Sequence, residues 1–107
     1  MLLLSALAGD PLHGYALVQQ VAALSDGRVH LSVGTLYRTL DRLADDGLVQ
    51  VDREEVVDGR LRRYYQLTTE GAAALNTEVT RIRHDADVAA SRLQAWANRR
   101  PGSVQPA

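Results

Sequence analysis

The 107-residue chain contains no cysteine. That excludes a disulfide framework, thiolate metal sites and a cysteine nucleophile, and it fits a reducing compartment. Lysine is also missing, and all twelve basic side chains are arginine. The simplest reading of that excess is codon bias in a GC-rich genome. No apolar run approaches the length of a membrane span. The opening Met1–Gly9 has a small-residue Ala6-Leu7-Ala8 but no basic segment before it, and its apolar stretch is too short for an export signal, so a cytoplasmic protein is expected. There is no nucleophile elbow of the Gly-x-Ser-x-Gly type, no phosphate-cradling glycine loop and no supported acidic dyad. His13, His30 and His84 are scattered, and His84 with Asp87 is at most a weak metal pair. Neither an enzyme, a cofactor nor a metal site is expected.

What remains is a chain that is 46% hydrophobic, enough to fold, with a formal charge of −1. Any affinity for nucleic acid must then come from local placement of arginine rather than from overall charge.

Residues 2–8 read as a short buried helix ending at Gly9. Asp10-Pro11 resembles a helix start, and a second helix is expected over roughly Gly14–Ser25, stopped by Asp26-Gly27. Tyr15, Leu17, Val18, Val21, Ala22 and Leu24 make up its broad apolar face, so packing is the expected role of Tyr15, as it is of Tyr65. Ser32 is a good N-cap for a third helix, in which Val33, Leu36, Leu40 and Leu43 form one buried stripe. Arg38 lies nearly opposite that stripe, with Thr35 and Arg42 to either side. Tyr37 lies toward the buried side, able to pack while presenting its hydroxyl. One face in a core and another offering hydrogen-bond donors is the geometry of a groove-entering helix. The competing reading pairs Arg38 and Arg42 with Asp41 and Asp45 on a wet helix face.

Asp45-Asp46-Gly47 ends that helix, and a hairpin follows with its turn at Asp58-Gly59. A loop of Asp58 and Gly59 alone would set Val49 and Val51 against Thr68 and Gln66. A loop of Val57-Asp58-Gly59 instead pairs Val49 with Leu67 and Val51 with Tyr65, and apolar pairing selects it. That register sets Glu54 opposite Arg62 and Arg53 opposite Arg63, with Gly59 left-handed. Arg60-Leu61-Arg62-Arg63 opens the return strand. Charged gatekeepers on an edge strand would explain these residues. Directly after such a helix, contact with a DNA backbone is the favoured reading.

A final helix is expected from Thr68-Thr69-Glu70 to about Asn98. Leu75, Val79, Ile82, Ala86, Ala89, Leu93 and Trp96 follow in alternating steps of four and three, an unbroken heptad seam. A seam of that kind asks for a partner helix, and a second copy of the chain supplies one. Trp96 is a dimer-core anchor on this reading. The alternative makes it a platform for an aromatic ligand beside the small Ala89. The expected fold class is mainly α with a small β-hairpin: a winged helix-turn-helix over 1–68, a dimerisation helix over 69–99 and a disordered tail over 100–107.

The segments Pro11-Leu12-His13-Gly14-Tyr15, Leu31–Tyr37, Leu40–Val49 and Gly59–Thr68 together resemble the PadR-like family of bacterial transcriptional regulators. The resemblance covers about residues 2–75. It implies a homodimeric, DNA-binding regulator, a repressor in its expected role, that recognises a pseudo-palindromic double-stranded operator. It also implies modulation by a small, often aromatic effector. Carried across residue by residue, it points to Ser32, Gly34, Thr35 and Tyr37 in the third helix and to Gly59, Arg60 and Arg63 in the hairpin. The family often has proline where this chain has Val33, Arg38 and Leu61, which makes Arg38 a candidate determinant of this protein's own specificity. The expected DNA-binding set is therefore Ser32, Gly34, Thr35, Tyr37, Arg38, Arg42, Gly59, Arg60, Arg62 and Arg63. The runner-up is a winged helix used as a protein-interaction module without sequence-specific DNA binding, which the near-neutral charge favours.

Overall fold

The structure, a computed structural model, describes residues 1–100. The chain divides into two compact units, Met1–Leu75 and a second beginning at Asn76.

The first unit runs α1 (Leu2–Leu7), β1 (Leu12–His13), α2 (Gly14–Leu24), α3 (Val33–Asp45), β2 (Val49–Val57), β3 (Arg60–Leu67) and the opening turns of α4 (Thr69–Arg99). Its core joins Leu3, Leu4 and Leu7 of α1 to Leu17 and Val21 of α2, Leu36 and Leu40 of α3, and Val49 and Tyr65 of the sheet. Leu17 and Leu40 lose all contact with solvent, and each such side chain contributes about 1.5–3 kcal/mol of burial.

Local chemistry sets the helix ends. The Ser32 hydroxyl accepts from the Thr35 N–H at 3.2 Å, the expected N-cap of α3. At the other end Gly47 is left-handed (φ 77°), and Leu48 N–H reaches back to the Leu43 carbonyl at 2.9 Å. Thr68 caps α4: its hydroxyl accepts from Gly71 N–H at 2.9 Å and donates to the Gly47 carbonyl at 2.6 Å. One side chain thus ties the start of α4 to the end of α3.

Asp10 does not cap α2. His13 does so, its Nδ1 accepting from Ala16 N–H at 3.4 Å. Leu12 and His13 are drawn out of helical geometry because they pair with Tyr65 and Tyr64 as a third strand. The sheet is antiparallel in the order β1-β3-β2. A two-residue strand is too short to leave a periodic trace in the sequence.

The hairpin combines both registers weighed from the sequence. At its base Val49 pairs with Leu67 and Val51 with Tyr65, as expected. At its tip the loop is Asp58-Gly59 alone, both left-handed (φ 52° and 76°), the signature of a type I′ turn. A β-bulge at Asp52, between Val51 and Arg53, reconciles the two. Glu54 therefore pairs with Arg63 rather than Arg62, and Arg53 faces Tyr64 rather than Arg63. The expected arginine–arginine repulsion does not arise. The Arg53 guanidinium lies over the Tyr64 ring at 4.0 Å instead.

Three apolar residues of the expected buried faces are exposed: Tyr15 by 71%, Val33 by 67% and Leu24 by 46%. Tyr15 and Val33 line an open apolar pocket with Val18, Leu31, Leu36 and Tyr37 instead of entering the core. The assembled unit is a winged helix: three helices, a short strand and a two-stranded wing.

The second unit continues α4, one uninterrupted helix of 31 residues and so about 46 Å long. Ile82 is 41% and Leu93 61% exposed, and Ala86 and Ala89 are also exposed. Val79 and Trp96 are half-buried, and the Arg100 guanidinium lies 5.0 Å from the Trp96 ring centre. Leu75 differs from the rest of the heptad seam, because it packs against its own unit's core. It is therefore removed from the expected dimer surface, and the seam open to a partner starts at Val79. Of the expected 100–107 tail, residues 101–107 lie outside the described residues. Among the described residues no helix is long and apolar enough to cross a membrane.

Candidate nucleic-acid interface

The exposed side of α3 begins with a relay of hydroxyls. Ser32 Oγ donates to Thr35 Oγ1 at 3.0 Å, and Arg38 Nη2 donates to the same Thr35 oxygen at 3.5 Å. Thr39 Oγ1 donates to the Thr35 carbonyl at 2.8 Å. These contacts order Thr35 and lean Arg38 along the helix face. Ser32, Gly34, Tyr37, Arg38 and Arg42 are exposed and Thr35 is half-buried, so the fold presents this part of the expected set on one surface.

The arginines separate into two classes by their partners. Arg53 is saturated: Nη1 meets Asp52 at 2.7 Å and Nε meets Glu55 at 2.7 Å. The hydrogen bond from Arg53 is the main reason that Glu55 titrates below the ordinary carboxylate range. Arg63 Nε is engaged by Glu54 at 3.0 Å. The Tyr65 side chain first, and Glu54 second, hold Arg63 above its ordinary value. By contrast, Arg38, Arg42, Arg60 and Arg62 form no ion pair among the described residues. The competing reading of α3, in which Asp41 and Asp45 neutralise Arg38 and Arg42, is not realised.

Two clefts lie between the wing and the helices. One is lined by His13, Gly14, Tyr15, Tyr37 and Arg60 through Arg63. The other is lined by Tyr37, Asp41, Leu61, Arg63 and Tyr65. The second cleft gives Asp41 a place: it shares with Arg63 the space between α3 and the wing. Gly59 stands apart from both, as the left-handed residue that makes the turn.

Sequence reasoning missed His13, Tyr15 and Arg53. His13 hides in a strand too short to read, and Arg53 is sorted onto its face by the bulge. Tyr15 was legible. At about 100° per residue it lies about 140° from the midpoint of Leu17 and Val21, the two fully buried positions of α2. Counting every apolar residue of α2 as one broad face concealed that. Among the described residues, no three His, Asp or Glu side chains come together in a way that would hold a metal ion. His84 and Asp87 are both exposed.

A model of the transcriptional regulator PadR-like family matches residues 3–77. The chain is 46% identical over 71 residues to transcriptional regulator Rv3488 of Mycobacterium tuberculosis. That match covers 66% of this chain and 63% of the relative, so the chain spans just under two thirds of that protein's length. Among solved structures, a PadR family transcription regulator from Clostridium difficile superposes with a TM-score of 0.71 at 28% identity, covering 86% of this chain and 94% of the other. The PadR of Bacillus subtilis, solved in complex with operator DNA, superposes with a TM-score of 0.65 at 20% identity. That match covers 73% of this chain and 44% of the other, and the likeness is one of fold.

Proposed function

The chain belongs to the PadR-like family of transcriptional regulators, and from that premise we propose that it is a cytoplasmic, homodimeric, sequence-specific DNA-binding repressor. Each subunit lays the exposed face of α3 in a major groove, with Ser32, Thr35, Arg38 and Arg42 toward the bases and phosphates. The wing sets Arg60 and Arg62 on the flanking backbone. The observation that carries this reading is the division of the arginines. Arg38, Arg42, Arg60 and Arg62 form no ion pair among the described residues, while the acids of β2 are engaged by Arg53 and Arg63. A protein of formal charge −1 keeps uncompensated positive charge on α3 and on the wing in this way. That the Bacillus subtilis PadR, of the same fold, was solved in complex with operator DNA supports DNA binding by analogy of fold.

The homodimer rests on the seam of α4 from Val79 to Trp96, and the two half-sites are then about 34 Å apart or a multiple of it. An aromatic effector held near Ala89 and Trp96, between subunits, completes the proposal. The test is binding of the full chain to the DNA upstream of its own gene, titrated with salt and with small phenolic compounds. Affinity well above that for random DNA, falling steeply with salt, is expected. Equal binding to both DNAs across the salt series excludes autorepression, and an effector has to weaken the specific complex.

A further inference from the structure

We propose that two adjoining hollows on the winged-helix unit form one binding site for an amphipathic organic anion. Its occupant is a small molecule with an aliphatic body and a terminal carboxylate. Binding stands on the geometry of this unit alone, whereas its consequence for DNA rests on the reading above. The site shares no residue with the α4 seam, so it is not the effector position near Ala89 and Trp96.

The first hollow is the apolar pocket between α2 and α3, about 360 Å³ in volume. Val18, Leu31, Val33 and Leu36 line it, and no charged side chain does. The second is the cleft between the start of α2 and the wing, about 370 Å³, whose lining includes His13 and Arg60 through Arg63. Gly14, Tyr15 and Tyr37 belong to both linings, so the two hollows meet along these three residues. Each falls within the size range of small-molecule pockets.

The meeting point depends on what Gly14 lacks. A Cβ there would stand 2.6 Å from the Tyr37 hydroxyl oxygen and 3.4 Å from Leu36 Cδ2. Glycine thus lets the Tyr37 ring lie against the α2 backbone. Tyr15, Val33 and Tyr37 are 71%, 67% and 42% exposed, and all three converge on the apolar pocket. Single exposed apolar side chains are ordinary, but a convergent set around a hollow marks a binding surface.

Charge selects the occupant. The apolar end offers a hydrocarbon body aliphatic and aromatic walls. The other end has no carboxylate in its lining, and its Arg60 and Arg62 form no ion pair among the described residues. Arg62 stands across from Glu55, but that acid is held by Arg53 at 2.7 Å. A carboxylate head therefore meets guanidinium donors that have no acid of their own. The neighbouring cleft, with Asp41 in its lining and its Arg63 engaged by Glu54, opposes the same head. A neutral apolar molecule would leave the arginine end unused, and a bare inorganic anion would leave the apolar end empty.

The ligand body lies against Val33, between the N-cap Ser32 and Gly34 in the first turn of α3. That turn belongs to the surface proposed to enter the major groove, so ligand and operator exclude one another.

Octanoate, 1-octanol and acetate are the probes, titrated into the full chain and followed by amide NMR shifts. Octanoate is expected to shift residues 14–18, 31–37 and 60–63 and to bind about tenfold more tightly than octanol, with acetate not binding. Arg62→Gln is expected to weaken octanoate about tenfold and leave octanol unchanged, whereas Val33→Ser weakens both. Both positions are exposed, and thermal melting checks that the variants fold as the parent does. Absence of octanoate binding overturns the site, as does equal affinity for octanoate and octanol. Shifts confined to residues 79–96, or an octanoate affinity untouched by Arg62→Gln, overturn it too. With operator DNA present, the apparent dissociation constant for DNA should climb in proportion to octanoate without limit. A plateau marks a ligand acting from elsewhere and overturns the overlap with α3. Octanoate binding by a chain that binds no DNA upholds the site and fails the DNA reading alone.

Discussion

The backbone of Gly71 in α4 rests against the carbonyl of Leu48, so closely that a Cβ at position 71 would overlap that carbonyl. The same carbonyl accepts the Thr68 N–H at 3.1 Å. The first turn of α4 is thereby seated on the link between α3 and the wing. Gly71→Ala must push backbone from backbone, because no flexible side chain lies between them. A loss of about 1–3 kcal/mol is expected, read as a lower urea midpoint at unchanged slope. A variant as stable as the parent would mean that α4 does not sit this closely.

Gly34 presents the opposite case. A Cβ there would meet nothing within 4 Å, and the residue lies in the first turn of α3. Gly34→Ala is therefore expected to stabilise the isolated protein by about 0.4–1 kcal/mol. If a DNA strand approaches this turn, the same variant binds operator DNA more weakly. Gains in both melting temperature and affinity would remove Gly34 from the interface.

Arg60 and Arg63 are close in sequence but differ in their partners. Arg63 is engaged by Glu54, whereas Arg60 has no ion pair among the described residues. Arg60→Ala is expected to reduce the salt dependence of DNA binding by about one unit of log–log slope. Arg63→Ala should change it less, because removing Arg63 also frees a carboxylate rather than only losing a phosphate contact. Equal slopes for the two variants would contradict the division of the arginines.

His13 ties stability to pH. Burial first, and Arg62 second, depress its imidazole below the ordinary 6.5, so the unfolded chain binds this proton more readily than the folded one. Its contribution is complete above pH 6.5 and is lost as pH falls toward and through the lowered folded-state value. The neutral ring is also what caps α2, since Nδ1 accepts from Ala16 N–H. A variant with asparagine at this position, His13→Asn, keeps a cap acceptor and should flatten that part of the melting-temperature profile. An identical profile would assign the pH dependence to other groups.

Ile82 and Leu93 expose 41% and 61% of their surface on the α4 seam. Ile82→Glu with Leu93→Glu is expected to convert a dimer to a monomer in sedimentation and to weaken operator binding by orders of magnitude, because one half-site is then held alone. A dimer that survives both changes would be built elsewhere.

The sequence carried the helices because their apolar residues recur in period and their ends are marked by Ser32, Gly47 and Thr68. It carried the seam of α4 for the same reason. The rest depended on distance from the core, which periodicity does not encode. Val33 and Tyr15 lie in apolar patterns yet line an open pocket outside the buried core. Leu75 belongs to the seam by spacing and to the core by position. In the hairpin, apolar pairing selected the register at the base and turn chemistry selected the register at the tip. Each was right over its own part of the strand, and a single-register reading had no means of holding both. The unpaired arginines of α3 were legible by counting degrees around the helix. The pairing of Arg53 and Arg63 was not, since it depends on that change of register.

The bulge at Asp52 also acts as a parity switch. In a regular strand Arg53 and Glu55 would share the side of Val51, the side that faces α3. One extra residue turns them to the other side, with Tyr64 and His13, and brings Glu54 and Val56 to the α3 side in their place. Deleting Asp52 would remove the bulge and leave every other residue of the wing on its present side, with Val51 still opposite Tyr65 and Arg53 still opposite Tyr64. The composition of this hairpin therefore has no electrostatic meaning until the position of one unpaired residue is known.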